Sequence, residues 1–572
     1  MSTQSYEPNP RYGPVGGDVV AGWEHPVARL VDRKHTSAVL AVDGPAGLEW
    51  ENVVDGICGA METAGMAWGR LDLRTHFAAW PDIVKATESP TLAQDPDFER
   101  IADGGLSQLF TQIPHPSRLD AGIMVVYGPG AALVEHDVLW YVDLPKRFTE
   151  AAVSAGGGRN LGQQPHDTNV PSTKRLFYID WPLLDRHRDA IASRVHRWVD
   201  AQEPARPLSI DAVTLHQTMY ELARRPFRTR PTFNTTSWGG HWAQKELGFN
   251  PEAANTALGY ELIAPESGVL VGAEDSLLEL PFQLIVAAHP RAILGERVHD
   301  EFGRSFPIRF DYLDTVDGGN LSVHCHPQAD YMREVFGWPY TQHETYYMMV
   351  GGSDRCVYLG LREDVDIDEF HAVAHRAQER GEPFDVERYV QTFPAEPHQL
   401  FCIPAGTPHG SGEGNVVLEV SATPYLYSLR LYDWLRRDND GRYRPVHVKH
   451  AFENLDTRRT GKAVGTDLVQ PCRTLRKGAG WREELLGALP DMFFEVRRLV
   501  LESGDVVVED DSTDEFHVLN VVDGEGVEIE TVHGACHALA YAETIVIPAA
   551  VGPYTVRPVG SQRTRLVKAL VR

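Results

Sequence analysis

The sequence predicts a multidomain α+β protein in which an N-terminal α/β domain is followed by a β-sandwich or jelly-roll domain and by a second, smaller β-barrel. In the first part of the chain, short apolar runs of strand length alternate with longer helical stretches, which favours a mostly parallel sheet. Beyond residue 226 the chain carries many short strands separated by Gly and Pro turns, which favours sandwiches or jelly rolls. The length of 572 residues suggests about three or four domains.

The N-terminal α/β domain is assigned to residues 1–225. Its first twenty or so residues are rich in Gly, Pro and Asn, which predicts a loosely held arm. A helix is predicted at 186–199, and strands are predicted at 38–42, 123–127, 138–142 and 176–179. The run VDGPAG at 42–47 is similar to a phosphate-binding turn, but no G-x-x-x-x-G-K-[ST] follows, so phosphoryl transfer is not expected.

The middle domain is assigned to residues 226–457 and is predicted to be a jelly roll with helical insertions. The insertions are predicted at 328–336 and 366–380. The predicted strands lie at 268–272, 278–285, 321–325, 345–350, 356–361, 400–403 and 416–420. A polar, basic linker at 458–480 leads to a smaller β domain at 481–572.

The net charge, the lack of long apolar runs and the cysteine spacing exclude several classes of partner and location. The 54 basic and 80 acidic residues give a net charge of −26, so nucleic acids and anionic membranes are not expected as partners. A phosphate site would need local Arg or Lys. No apolar run of membrane-spanning length and no signal pattern appears, and the six cysteines form no C-x-x-C, so we expect a cytoplasmic protein without a disulfide framework.

Four residues between 320 and 410 predict a metal site. His324 and His326 stand two apart on a strand-like run, so both imidazoles can lie on one face. Glu344 begins another strand, and His409 follows a P-x-G turn. Among 24 histidines about one H-x-H pair arises by chance, so the ordered set carries the prediction rather than the pair. Three imidazoles and a carboxylate suit Zn, Fe, Mn or Ni.

Five motifs in this order, LSVHCHP, HETYYMM, PAGTPHGSGEG, VVLEVSATP and LRLYDW, resemble those of the class I mannose-6-phosphate isomerases, which are zinc enzymes on a cupin scaffold. The long bacterial form is the most similar. Its N-terminal extension, reminiscent of a nucleoside-kinase fold, resembles GIMVVYGPGAALVEHDVLWYVDLPKRF. The ending ETIVIPAAVGPYTVRP resembles its C-terminal cupin, here without metal-binding residues. The resemblance thus implies a degenerate kinase-like domain, a catalytic cupin and a metal-free cupin.

The resemblance also implies roles for individual residues. The family's ligands Gln, His, Glu and His fall on His324, His326, Glu344 and His409, so one divalent metal is expected. His324 replaces Gln, which could shift the preference from Zn towards Fe, Mn or Ni. Arg430 matches the family's active-site arginine, and Glu419 lies in a matching pocket motif.

A second departure lies two residues before Glu344. Many relatives carry Lys there, whereas this chain has Gln342, which cannot bind an anion through charge. His343 could take up acid/base work, although its neighbour Glu344 and the alternation of strand side chains place it on the opposite face.

The expected reaction is the interconversion of mannose 6-phosphate and fructose 6-phosphate through a cis-enediol. The alternatives are a changed sugar substrate, iron or nickel oxygen chemistry on a cupin, and a non-catalytic sugar-binding regulator. The expected partner is a small sugar or sugar phosphate, with no further cofactor; homo-oligomerisation stays open.

Overall fold

The N-terminal part of the chain forms an α/β layer. The computed structural model describes residues 5–30, 37–164, 166–273, 275–437, 441–502 and 504–572. Strands β1–β8 are Arg11–Tyr12, Val20–Ala21, Ser37–Asp43, Trp68–Asp72, Gly122–Tyr127, Val138–Asp143, Arg197–Asp200 and Leu208–Asp211. Helices α1–α7 are Glu24–Ala28, Trp50–Thr63, Trp80–Thr87, Lys146–Ser154, Thr173–Arg175, Trp181–Ile191 and Ala212–Leu222.

Seven of these strands form one sheet in the order β2-β8-β7-β6-β3-β5-β4. β3 pairs in parallel with β5 and β6, and β4 and β7 extend the parallel part, while β8 and β2 are antiparallel. The predicted strands at 38–42, 123–127 and 138–142 coincide with β3, β5 and β6, and the predicted mostly parallel sheet is present.

The strand predicted at 176–179 is wrong, because Leu176–Asp180 is a π-helical turn that continues into α6. Ser172 accepts a hydrogen bond from the backbone N–H of Arg175 and caps this helical segment. A short apolar run cannot by itself be told from a buried helix, and here the helical pattern extends to Ile191. The helix predicted at 186–199 correspondingly ends early, and Arg197–Asp200 is β7.

Instead of a loose arm, the described residues from 5 onward pack on the middle domain. β1 pairs in parallel with the strand Gly268–Ala273, Arg11 opposite Leu270 and Tyr12 opposite Val271. The Tyr12 hydroxyl accepts a hydrogen bond from the Arg228 backbone N–H at 2.6 Å.

The middle part of the chain is dominated by antiparallel strands. Strands β9–β21 are Thr232–Asn234, Leu258–Leu262, Gly268–Ala273, Ser276–Pro281, Ile308–Asp314, Val323–Cys325, Glu344–Val350, Gly352–Leu361, Val390–Ala395, Leu400–Ile403, His409–Ser411, Val416–Ala422 and Leu429–Tyr432. Helices α8–α14 are Trp242–Glu246, Phe282–Ala288, Pro290–Leu294, Glu296–Phe302, Ala329–Tyr331, Ile367–Arg380 and Val448–Asn454.

Two antiparallel sheets face each other in this domain. Sheet I has the order β18-β15-β20-β13-β10-β9, and sheet II has the order β17-β16-β19-β14-β21. The predicted insertion at 366–380 is α13, which Asp366 caps by accepting from the Glu369 N–H and which ends at Gly381 with φ +64°. The strand predicted at 278–285 stops at Pro281, after which α9 begins.

The last part of the chain is a second pair of sheets. It comprises α15 (Lys462–Leu468) and strands β22–β31, which are Arg473–Gly478, Trp481–Gly487, Phe494–Leu501, Val508–Asp511, His517–Asp523, Gly526–Thr531, Cys536–Ala540, Thr544–Ile547, Pro553–Pro558 and Thr564–Val571. The sheet orders are β22-β23-β24-β31-β26-β29 and β25-β30-β27-β28. The expected linker at 458–480 therefore differs from a plain connector, because it contains α15 and the edge strand β22.

The architecture is mixed α+β with several sheets, as the sequence predicts. One large hydrophobic core includes buried side chains from all three parts of the chain, such as Trp198, Phe306 and Val546. Within the described residues, no helix combines the length and apolar character needed to span a bilayer.

Candidate metal centre

The four predicted ligands converge between sheets I and II. His324 lies in β14 and pairs with His409, the first residue of β19, so both come from sheet II. His326 follows β14, two residues on and thus on the same face. Glu344, the first residue of β15, comes from sheet I. Side chains alternate between the two faces of a strand, and each of these residues occupies a position that faces the space between the sheets.

Distances within this cluster suit a single ion. One potential ligand atom from each residue lies within 4.8 Å of every other. A carboxylate oxygen of Glu344 is 2.6 Å from His326 Nε2 and 3.3 Å from His409 Nε2. The imidazole centroids are 4.3 Å apart for His324 and His409, and 5.1 Å apart for His326 and His409.

The Nδ1 atoms of the three histidines face backbone carbonyls. His324 Nδ1 donates to Ser322 O and His409 Nδ1 donates to Thr407 O, both at 2.9 Å, while His326 Nδ1 lies 3.4 Å from Tyr427 O. A carbonyl only accepts, so in His324 and His409 these contacts hold the proton on Nδ1 and leave Nε2 as the donor atom for a metal. His409 Nε2 has no hydrogen-bond partner among the described residues, although it is buried.

Burial gives this cluster unusual acid–base properties. All four ligands are at most 6% exposed. Burial, reinforced by the neighbouring His409 and His326, lowers the pKa of His324 well below its usual value. Burial disfavours the Glu344 carboxylate, but His409 and His326 outweigh that effect and hold the pKa of Glu344 well below its ordinary range. The lowered pKa values favour a neutral His324 imidazole and a Glu344 carboxylate, which are the protonation states that a divalent metal requires of such ligands, so the residues fit such an ion.

A buried charged network lies beside the cluster on the inner face of sheet I. Arg309 contacts Glu419 and Asp311, the latter at 3.5 Å, and its Nε donates to Ser421 Oγ at 2.5 Å. Ser421 pairs in register with both Arg309 and Glu344, which places these three side chains on one face.

Sequence reasoning identified Glu419 but missed Arg309 and Asp311. The available signal was the alternation of charged and apolar residues along the buried run IRFDYLD, which puts both charges on one face of β13.

Gln342, at the position where the resemblance expects Lys, belongs to the same network. With its amide nitrogen towards Pro424 O at 2.6 Å, its oxygen accepts from Arg309 Nη2 at 2.9 Å. The amide therefore links the end of sheet I to Arg309 and contributes no charge.

His343 faces away from the cluster. Its Nδ1 accepts a hydrogen bond from the Ala405 backbone N–H at 3.2 Å. Burial, only partly offset by Asp491, lowers the pKa of His343 to about 4. The acid–base role expected for His343 is therefore not supported by this position of its side chain.

Arg430 lies in β21, directly opposite His324 in the sheet register. Its backbone N–H donates to His447 Nδ1 at 3.0 Å and its Nη1 donates to Pro445 O at 3.1 Å. Residues directly opposite in an antiparallel pair share a face, so Arg430 is placed at the mouth of the sandwich beside the predicted ligands.

Three other histidines lie outside the predicted metal cluster. His371 and His375 are exposed on α13. In the C-terminal domain, His517 Nδ1 is 2.8 Å from the Tyr554 hydroxyl, which gives this buried imidazole a protein partner.

Comparison with known proteins finds one matching family model and several curated relatives. Residues 22–224 match the family described as "Domain of unknown function (DUF8485)". The curated relatives include the mannose-6-phosphate isomerase of Streptococcus mutans, 27% identical over 224 residues, or 38% of this chain and 64% of the relative. A mannose-6-phosphate isomerase of Bacillus subtilis is 26% identical over 244 residues, or 41% of this chain and 69% of the relative.

A crystal structure of the mannose 6-phosphate isomerase from Bacillus subtilis aligns with a TM-score of 0.49 at 19% identity, covering 60% of this chain and 99% of that chain. The present chain spans about two thirds of the length of the curated relatives it matches. Over about two fifths of its own length it is similar in sequence to mannose-6-phosphate isomerases, which confirms the predicted resemblance.

Proposed function

We propose that this protein is a metal-dependent aldose–ketose isomerase that interconverts mannose 6-phosphate and fructose 6-phosphate. The observation that carries the proposal is the convergence of His324, His326, Glu344 and His409 within 4.8 Å in a buried site. The curated relatives, named as mannose-6-phosphate isomerases, support the same reaction class.

His324, His326, Glu344 and His409 would hold one divalent ion, with Zn the first choice and Fe, Mn or Ni made plausible by the imidazole of His324. When bound, such an ion supplies Lewis acidity that stabilises negative charge on sugar oxygens. The Glu344 carboxylate would supply the negative charge to such a dication, because despite burial His409 and His326 hold its pKa well below the ordinary range, whereas burial raises the pKa of Asp311 to about 7 and that of Glu419 well above its usual value.

The protein's own residues would bind the substrate and move one proton. The reaction takes a proton from C2 of the aldose and returns one to C1, with no net oxidation. Glu419 is our candidate for this transfer because its carboxyl group lies on the inner face of sheet I, held by Arg309 and by Ser421 Oγ at 2.7 Å. Arg430, opposite His324, would bind an anionic group of the sugar.

A related sugar is the second candidate substrate. Gln342 stands where a lysine is expected, and its amide is engaged by Arg309 and Pro424, so this position offers no cation to a phosphate. An isomerase of this kind could therefore act on a different sugar with the same metal site.

We extend the proposal to the architecture. The middle domain, assigned to 226–457, would be the catalytic cupin, the domain at 481–572 a metal-free cupin, and the domain at 1–225 a degenerate kinase-like extension. The six cysteines are all free, which supports a reducing compartment such as the cytoplasm.

Metal analysis and an isomerase assay test this proposal together. We expect purified protein to contain about one divalent ion per chain and to convert mannose 6-phosphate to fructose 6-phosphate. Removing the ion with a chelator should abolish turnover, and His409→Ala should lower both metal content and kcat/KM by about 100-fold or more, since the site loses a ligand and its Lewis acid.

His375→Ala is the matched control, because this histidine is exposed on α13 and should leave both quantities unchanged. His324→Gln restores the amide that the resemblance expects, and we predict that it shifts the bound metal towards Zn. Full turnover after complete metal removal would contradict the proposal.

A further inference from the structure

A cleft of about 720 Å³ lies between the N-terminal and middle domains. The N-terminal wall includes Asp97, Arg147 and Lys174, and the opposite wall includes Tyr260, Ser428 and Arg430. A cleft of this volume is large enough for a drug-sized polar ligand, and hydroxyl, amide and charged groups line it from both sides.

The middle-domain wall is the mouth of the sandwich that holds the metal cluster. Tyr260 is paired with Asp311 in sheet I, so its side chain lies on the inner face with the charged network. Arg430 is paired with His324 in sheet II and lies on the inner face from the other side. Both inner faces therefore continue from the cluster into the cleft.

One chain segment, residues 424–428, borders both the cleft and the cluster. Leu426 and Ser428 line the cleft, while the carbonyl oxygen of Tyr427 lies 3.4 Å from His326 Nδ1. The N-terminal domain touches the same segment, because the Tyr178 hydroxyl donates to Leu426 O at 3.0 Å. This segment therefore contacts both a predicted metal ligand and the N-terminal domain.

Lys174, on the N-terminal wall of the cleft, has an ammonium group with few partners in the protein. Its ammonium donates to Asp95 O at 2.5 Å, and the closest carboxylate, that of Glu99, is 3.9 Å away. An ammonium has three donors, so further bonds are available to a ligand. Arg147, by contrast, is committed to both carboxylate oxygens of Glu279, at 2.7 and 2.8 Å.

Carboxyl groups in the cleft offset these cations only partly. Asp97 pairs with His447 at 3.5 Å, and Glu266 accepts from the Tyr425 hydroxyl. Burial, reinforced by Glu266, raises the pKa of Glu150 to about 7, and burial raises the pKa of Glu266 as well, so both carboxyl groups carry less negative charge than usual.

We propose that the N-terminal domain completes the substrate site, with Lys174 and Arg430 binding the phosphate of a sugar phosphate from opposite walls of the cleft. This inference rests on the proposed function. In a chain with a net charge of −26, a phosphate needs local cations, and the cleft brings them together from two domains. Lys174 thus supplies from another position a positive charge that Gln342 lacks.

Isothermal titration and steady-state kinetics on the full chain test the inference. For Lys174→Gln we expect the affinity for fructose 6-phosphate to fall, and the KM for mannose 6-phosphate to rise, by about 10-fold or more, with kcat within about 2-fold, because a charge-assisted contact to a remote group is lost. Lys174→Arg should keep most of the affinity. Binding of unphosphorylated mannose should be equal in wild type and Lys174→Gln.

Lys85→Gln, an exposed lysine of α3, is the matched control and should behave as wild type. If Lys174→Gln weakens phosphosugar binding in a protein without turnover, the cleft inference stands and the isomerase proposal fails. Turnover with an unchanged KM and affinity in Lys174→Gln overturns the cleft inference alone. Absence of both turnover and phosphosugar binding overturns both, and a thermal melt verifies that each variant is folded.

Discussion

Arg309 places a guanidinium among carboxyl groups on the inner face of sheet I. Its side chain is only 7% exposed, and its contacts are Glu419, Asp311 and Ser421. Burial disfavours the charged form of Arg309, but Asp311 and Glu419 outweigh that effect and raise its pKa, so the cation persists in the interior. A buried cation with such partners holds the neighbouring carboxyl groups in place beside the predicted metal ligands.

We predict that Arg309→Met destabilises the protein by roughly 3–5 kcal/mol, because it leaves buried carboxylates without their cation. The double variant Arg309→Met/Glu419→Gln should recover a substantial part of that loss, since one of the stranded charges is then neutral. Urea unfolding measures both effects. The exposed Arg380→Met is the control, and a single variant as stable as that control would refute the prediction.

At the residue scale, the ordered motifs were enough to predict that His324, His326, Glu344 and His409 converge, but not what surrounds them. H-x-H, the Glu at a strand start and P-x-G-x-x-H are local patterns, and each places a side chain on a known face of its strand. The contact between Arg309 and Glu419 joins residues 110 positions apart, which only the strand pairing of β13 with β20 brings together. The strand pairing gives the position of Glu419, but its catalytic role stays a prediction.

The turn before β19 delivers His409 to the cluster. Gly406 has φ +84°, and its N–H donates to His326 O at 2.9 Å, so the turn is bonded to the strand that carries the other histidines. A Cβ at this position would lie 2.6 Å from Asn454 O. Glycine is therefore required here for both its conformation and its lack of a side chain.

We predict that Gly406→Ala costs more stability than Gly248→Ala and lowers metal content. Gly248 has φ +65°, and a Cβ added there would meet no atom within 4 Å, so it shares the conformational cost of about 1 kcal/mol without the collision. The collision in Gly406→Ala should add about 1–3 kcal/mol and displace His409. Thermal unfolding and metal analysis of the two variants measure the difference; equal losses would show that the collision has no effect.

At the scale of elements, period-2 and helical patterns predicted most strands and α13 to within a few residues. The failures occur where an apolar run has no clear period. The run at 176–179 is helical because it continues into α6, and the run at 278–285 changes from strand to helix after Pro281. Whether each of these two runs becomes helix or strand depends on the residues it packs against, and the local sequence does not specify those residues.

Buried polar contacts join the middle and C-terminal domains. The Tyr312 hydroxyl donates to Ala542 O and accepts from Asn520 Nδ2, both at 2.7 Å. Arg228 pairs with Glu543 at 2.5 Å, with both side chains at most 3% exposed. Contacts of this kind predict that the two domains unfold together rather than one after the other.

We predict that Tyr312→Phe destabilises the protein by about 1–3 kcal/mol in a single cooperative transition, because a buried carbonyl and an amide lose their partner. Differential scanning calorimetry gives both the loss and the number of transitions. Tyr220→Phe, on a tyrosine that is 48% exposed, should be neutral. Two separate transitions in the wild type would show that the domains are independent.

The pairing of β1 with β11 has a consequence for biosynthesis. Arg11 meets Leu270, a residue that the ribosome adds about 260 positions later, so at 5–20 residues per second the first strand waits roughly 13 to 50 s for its partner. Its edge stays unpaired while the intervening α/β layer can already fold. Nascent chains should therefore acquire protease resistance at β1 only after β11 has left the exit tunnel.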